Sequence, residues 1–143
     1  MVDVNYLTVF LAGVSSMLVG FLWYGPLFGK AWASLMGWTT KDFEKLKKQK
    51  GADMGRLYAL QFIGSLFMAF VLSHALVFAK SYLGTEGVSA GLQTGFWNWL
   101  GFVAPVTLGS ILWEGKSWKL WVLNNGNYLV TLMTMGVILS LWG

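Results

Sequence analysis

The chain has 143 residues, of which 56% are hydrophobic and 11% are charged, and its formal net charge is +4. Soluble domains average about 45–50% apolar and about 25% charged residues, so this composition excludes a disordered chain and disfavours a soluble enzyme. The absence of cysteine excludes disulfides and zinc–thiolate sites. We expect a single domain over residues 1–143, because the length suits one compact unit.

Four apolar segments are long enough to cross about 30 Å of hydrocarbon, which takes roughly 20 residues of helix. They cover residues 4–24, 57–79, 88–113 and 118–142, and the first stops at Gly25-Pro26. In lipid each segment must be helical, because no water is present to satisfy the backbone N–H and C=O groups. The sequence therefore predicts an all-α membrane protein with four transmembrane helices.

Basic residues are distributed unevenly over the connecting segments. Seven lie in the 25–56 loop and two, Lys116 and Lys119, lie at the junction of spans three and four, whereas only Lys80 lies between spans two and three. The positive-inside rule therefore predicts that loops 25–56 and 114–118 are cytoplasmic and that both termini are outside. The first residues carry no basic region, so they are not expected to form a cleaved signal peptide.

The long loop between spans one and two predicts two short structured segments. Residues 26–38 are too apolar for a free loop and too short to span, so we expect an amphipathic segment at the membrane interface. Residues 39–51 predict a short helix that Thr39 and Asp42 cap and that Gly51 ends. Its basic side chains are predicted to contact anionic lipid headgroups, and the alternative is a solvated loop that only sets orientation. These side chains are Lys41, Lys45, Lys47, Lys48 and Lys50.

Polar side chains within the spans are the candidate functional site, because each is costly to place in lipid. They fall at three depths, which is the pattern that a hydrated path for a small solute or ion requires. The alternative is that they only join helices, with about 0.6–2 kcal/mol for each hydrogen bond. The lone histidine is expected to bond between helices rather than relay protons, since no carboxylate lies within a span. The candidates are Asn98, Asn127, Asn124, His74, Gln93 and Gln61.

Small residues recur every four positions on three spans and predict close helix packing. They are Gly87, Gly91 and Gly95, then Ala12, Ser16 and Gly20, then Ser65, Ala69 and Ser73. Pro105 is expected to kink span three. The similar span exits at residues 22–32 and 112–118 favour two parallel-repeat hairpins made by duplication, with chance as the alternative. Four helices enclose little volume, so we also expect a homo-oligomer.

Three functions from different classes follow from these features. The first is a passive path or carrier for a small solute or ion. The second is a non-catalytic scaffold or lipid-interacting protein. The third is an interfacial enzyme working from Glu114, which is disfavoured because catalytic groups are few. No P-loop, GxSxG motif or His–Glu metal pair occurs, and we expect no cofactor, no metal and no nucleic-acid partner.

Several short motifs resemble those of one family. They are WYGPLFGKAW at 23–32, GFVAP at 101–105, LWEGK at 112–116 and NNGNY at 124–128. The chain is similar throughout to a small, mainly bacterial family catalogued as domain of unknown function 1761. The resemblance implies a four-helix inner-membrane protein and implies no activity. It marks Tyr24, Gly25, Pro26, Gly29, Lys30, Trp32, Pro105, Glu114 and Asn127 as positions that match the family motifs.

Overall fold

The computed structural model describes residues 2–50 and 53–143, without the side chains of residues 46, 47, 49 and 50. Within this part the chain is helical and contains no strand. Four helices in it are long and apolar enough to cross a membrane. They cover Tyr6–Leu27, Met54–Leu83, Gly87–Leu112 and Trp118–Trp142. The predicted all-α architecture is therefore confirmed, and the second helix is longer than the predicted 57–79.

The first long helix does not stop where the sequence predicted. Helix α1 covers Tyr6–Leu22 and continues into a π-helical turn over Trp23–Leu27. Pro26 lies inside that turn. Because proline lacks an N–H and clashes with the preceding turn of an α-helix, the wider π turn accommodates it without ending the helix. The stop predicted at Gly25-Pro26 is therefore a change of helix type.

The 25–56 loop contains two short helices. Helix α2 covers Gly29–Met36, and helix α3 covers Thr40–Lys50. The predicted cap of α3 is confirmed, because the Thr39 backbone N–H and hydroxyl donate to Asp42 Oδ2 at 2.7 and 2.9 Å. The predicted end at Gly51 lies outside the described residues.

A row of contacting aromatic rings joins α2 and α3 to the π turn that follows α1. The ring centroids of Tyr24 and Trp32 are 6.0 Å apart, those of Trp32 and Trp38 are 5.4 Å apart, and those of Trp38 and Phe43 are 5.3 Å apart. Such aromatic pairs each add about 0.5–1.5 kcal/mol beyond the area that they bury. Apolar side chains of residues 26–38 therefore pack in part against other residues of the chain.

The third long helix is interrupted near Pro105, where the sequence predicted a kink. Helix α4 covers Met54–Leu83 and is followed by α5 over Gly87–Asn98. A π turn over Trp99–Val103 then precedes α6 over Ala104–Thr107 and α7 over Gly109–Leu112. The Ala104 N–H donates to the Trp99 carbonyl, which is the i→i+5 bond of a π turn.

Helix α8, over Trp118–Trp142, packs against α1, α4 and α5. Its closest crossing is with α5, where a Cβ added to Gly91 would lie 2.5 Å from the Gly136 carbonyl oxygen. A Cβ on Gly95 would lie 2.6 Å from the Leu132 oxygen. The predicted glycine stripe therefore mediates backbone-to-backbone packing.

The main hydrophobic cluster lies in the half of the bundle nearest the two chain termini, which we call the terminal half. Its buried members are Val9, Ala12, Ala69, Leu72, Leu76, Ala90, Leu132, Met135 and Leu139. The other half, nearest the 25–56 loop, is the loop half. Between the two halves, the hydroxyls of Ser16 and Ser65 are 3.1 Å apart. Beyond them a space remains between α1 and α4, and Gly20 lines it.

Candidate functional site

A cavity of about 550 Å³ lies in the loop half, bounded by α1, α4 and α8. We call it the intramembrane cavity, since all three helices are of membrane-spanning length. Its polar lining consists of uncharged side chains. These are Ser16, Tyr24, Tyr58, Gln61, Asn127, Tyr128 and Thr131.

A second cavity, of about 530 Å³, lies nearer the loop end and is called the vestibule. Glu114 and Lys116 both line it, together with Asn124 and aromatic side chains from α2, α3 and α8. Tyr24 and Tyr128 line both cavities, so they stand at the boundary between them.

Asn127 is the most unusual polar residue of the intramembrane cavity. Its side chain is only 8% exposed, yet its Oδ1 atom has no hydrogen-bond partner among the described residues. An unsatisfied buried acceptor costs about 1–3 kcal/mol. Asn127 is ten residues into α8, roughly 13 Å from the first residue of that helix. Asn127 therefore places a buried amide group at the cavity wall.

Tyr24 is held at the boundary by two contacts between the π turn and α8. Its hydroxyl donates to Asn124 Oδ1 at 2.8 Å, and the indole N–H of Trp23 donates to the Leu123 carbonyl at 3.0 Å. Only glycine fits opposite the indole, because a Cβ on Gly126 would lie 2.8 Å from the Trp23 ring. The Asn-Asn-Gly-Asn segment of α8 thus packs against Trp23 and Tyr24.

Asn125 has a different role from its two asparagine neighbours. It is 2% exposed, and its Nδ2 donates to the Thr107 hydroxyl at 3.0 Å and to the Trp121 carbonyl at 3.1 Å. The Trp121 indole N–H also donates to that hydroxyl, at 3.1 Å. Asn125 therefore joins α8 to the interrupted third helix.

Three of the predicted candidates are not brought together with Asn127. Asn98 donates to the Thr94 carbonyl at 2.8 Å, and Gln93 donates to the Ser89 hydroxyl at 2.9 Å, both on their own helix. His74 Nδ1 lies 2.8 Å from the Phe70 carbonyl oxygen on its own helix, and it is not bonded between helices there. Neither cavity is lined by these three side chains. Gln61 and Asn124 do line the cavities, one each.

The family-motif positions surround the same region. Gly25 lines the intramembrane cavity, whereas Gly29, Trp32 and Glu114 line the vestibule. Gly29 allows α2 to begin against the π turn, because a Cβ there would lie 2.6 Å from the Tyr24 carbonyl oxygen. Lys30 is exposed. Pro26 and Pro105 shape the two π-helical regions described above.

Two tyrosines of the intramembrane cavity, Tyr58 and Tyr128, were not among the predicted site residues. Tyr128 follows Asn124 by four positions and therefore shares its helix face, which is a signal that the sequence does contain. Tyr58 precedes the predicted Gln61 by three positions and likewise shares its helix face.

Three of the lysines that the sequence predicted to contact lipid headgroups line neither cavity. Lys41, Lys45 and Lys48 are exposed on α3, while the side chains of Lys47 and Lys50 lie outside the described part. Among the described residues no group of three or more His, Cys, Asp or Glu side chains could hold a metal ion.

The fold and the cavities define a small helical-bundle protein with four membrane-length helices. The chain belongs to the family described as "Protein of unknown function (DUF1761)", whose sequence model matches residues 7–140. The resemblance of the motifs is thereby confirmed over nearly the whole chain. No curated protein and no solved structure was found to match the chain.

Proposed function

We propose that this protein is a membrane carrier or passive path for a small solute, with its binding site in the intramembrane cavity. The observation that carries the proposal is the 550 Å³ cavity itself, which Asn127 and six other uncharged polar side chains line. Cavities of about 300–1,000 Å³ with a few convergent polar groups are typical of small-molecule sites.

The arrangement of the two cavities supports a route between the loop end and the membrane interior. A solute would pass the vestibule, then Tyr24 and its hydrogen bond to Asn124, and reach Asn127. The core of the terminal half, which includes Leu72 and Met135, closes the other end. This packing favours a carrier open at one end over a continuous pore. In the orientation that the basic residues predict, the protein lies in the inner membrane and the open end faces the cytoplasm.

Flux into proteoliposomes tests this proposal. Light scattering would measure the entry of glycerol, urea and choline into vesicles with the wild-type protein, with Asn127→Leu, or without protein. We expect at least one probe to enter faster with the wild-type protein and Asn127→Leu to abolish the difference. Asn98→Leu is the matched control, because Asn98 bonds only to its own helix, and it should keep the flux. Equal rates in all vesicles for all three probes would contradict the proposal.

A lipid-interacting protein is the second candidate, and one observation favours it. Phe21, Tyr58 and Met68 line the intramembrane cavity and are also exposed, so the cavity opens sideways between α1 and α4. A lipid could enter there, with the exposed lysines of α3 contacting anionic headgroups. Thermal unfolding in phosphatidylglycerol and phosphatidylcholine nanodiscs would distinguish the candidates. Stabilisation by the anionic lipid that is lost in Lys41→Gln/Lys45→Gln/Lys48→Gln, without solute flux, supports lipid binding.

Both cavities lie within one chain, so the route does not depend on the homo-oligomer predicted from the sequence. That oligomer remains a prediction, and crosslinking of the protein in native membranes measures it.

A further inference from the structure

The vestibule is lined by an unusual concentration of aromatic side chains for a cavity that also contains a carboxylate. Five rings line it, from the π turn, α2, α3 and α8, and the carboxylate is Glu114. The rings belong to Tyr24, Trp32, Phe43, Trp121 and Tyr128. The face of an aromatic ring carries negative potential, which attracts a cation within about 6 Å of the ring centroid.

Hydrogen bonds and ring contacts hold several of these rings in place. Tyr24 and Trp32 meet edge-on, with an interplanar angle of 74°, and the Trp121 indole N–H is bonded to the Thr107 hydroxyl. The Tyr24 hydroxyl already donates to Asn124. Because the Tyr24 hydroxyl and the Trp121 indole N–H both donate within the chain, Tyr24 and Trp121 offer a ligand mainly their ring systems.

We propose that the vestibule binds a small organic cation of the substituted-ammonium class. The aromatic rings would contact the alkyl groups around the nitrogen, and Glu114 would balance the charge. The cavity volume of about 530 Å³ suits a molecule of that kind. This inference rests on the proposed function, since it names the class of solute that the route would admit.

Lys116 lines the same vestibule and gives the proposal a second, opposite test. Its ammonium group is a cation on a flexible stem, so it competes with the ligand for the rings and for Glu114. Removing the charge of Glu114 should weaken binding, whereas removing the charge of Lys116 should strengthen it. An anion site would show the reverse pattern.

Isothermal titration of the purified protein with choline tests the proposal. The neutral isostere 3,3-dimethylbutan-1-ol has the same shape without the charge and should bind at least ten-fold more weakly. Glu114→Gln should weaken choline binding by roughly three- to thirty-fold, and Lys116→Gln should strengthen it. Trp32→Leu should weaken it by a similar factor, whereas Trp97→Leu, an exposed tryptophan outside the vestibule, should leave it unchanged.

Equal affinity for choline and its neutral isostere, or no binding of choline to folded wild-type protein at millimolar concentration, would overturn the inference. Binding of sulfate that depends on Lys116 would overturn it as well. Glu114 is exposed, so Glu114→Gln should fold normally and keep the test valid even if Trp32→Leu does not. If urea or glycerol flux depends on Asn127 while choline does not bind, this inference fails and the proposed function stands. Choline binding without any flux would support this inference and contradict the proposed function.

Discussion

Replacing Gly91 by alanine tests whether the half of the bundle that closes the route depends on direct backbone contact between α5 and α8. The new Cβ would lie 2.5 Å from the Gly136 carbonyl oxygen and 2.6 Å from Val137 Cα. Ordinary contact begins near 3.4 Å, so the two backbones must separate by about 0.9 Å. The neighbours are backbone atoms of a helix, which cannot rotate away as a side chain does.

Overpacking of this kind costs about 1–3 kcal/mol. For a chain of this length that corresponds to a fall in the melting temperature of roughly 3–10 °C. Thermal unfolding in detergent, followed by tryptophan fluorescence, measures the change. Gly64→Ala is the matched control, because it adds the same methyl group to a helix at a place where nothing lies within 4 Å. It should leave the melting temperature unchanged or raise it slightly, since alanine favours the helix by about 1 kcal/mol.

A Gly91→Ala variant as stable as the wild type would refute the reasoning. It would mean that α5 and α8 separate without loss, so the glycine stripe would not be what sets their distance. A fall of the same size in Gly64→Ala would also contradict it, because the effect would then not come from the crossing.

Three further predictions concern the site and the loop. Gly126→Ala should displace the Trp23 ring, change the tryptophan fluorescence and lower the melting temperature. If the fluorescence change disappears in a Trp23→Phe background, it comes from Trp23. Asn125→Leu should destabilise the protein, because it breaks a hydrogen bond to Thr107 on α6. Asn127→Leu should keep or raise stability, because the Asn127 carbonyl has no partner among the described residues. Chemical or thermal unfolding compares the two variants. Hydrogen bonds from the Thr39 N–H and then its hydroxyl lower the pKa of the Asp42 carboxyl. The α3 cap should therefore stabilise fully above the unfolded value of about 3.9 and weaken as pH falls through the lowered folded pKa, and amide exchange of α3 should lose this pH dependence in Asp42→Asn.

The four long helices could be predicted from the sequence because lipid leaves a long apolar segment little choice but to be helical. Close packing of α5 against another helix was also predictable, because Gly91 and Gly95 recur at the spacing that exposes helix backbone, but its partner α8 was not. Pro105 indicated the interruption of the third helix. These features depend on residues of one segment and are therefore visible without the partner segment.

The site was only partly predictable, because hydrogen-bond partners are chosen between helices. Asn124, Asn125 and Asn127 look alike in sequence, yet one accepts from Tyr24, one joins α8 to Thr107, and one has an unpartnered carbonyl among the described residues. Asn98 has the same residue type and a similar depth, but its amide bonds to its own helix. Depth along a helix can be counted from the sequence, whereas the direction and partner of a side chain cannot.

The central claim is that Asn127 lies in a cavity that water and small solutes reach. Because the wild-type sequence contains no cysteine, a single cysteine can be placed at Asn127, or at Asn98 as the control. Each variant would be treated in intact membranes, from each side, with a small membrane-impermeant thiol reagent. We expect fast labelling of Asn127→Cys from the side of the loop half and slow labelling of Asn98→Cys. No labelling of folded Asn127→Cys from either side would contradict it, and the asparagines of α8 would then serve packing alone.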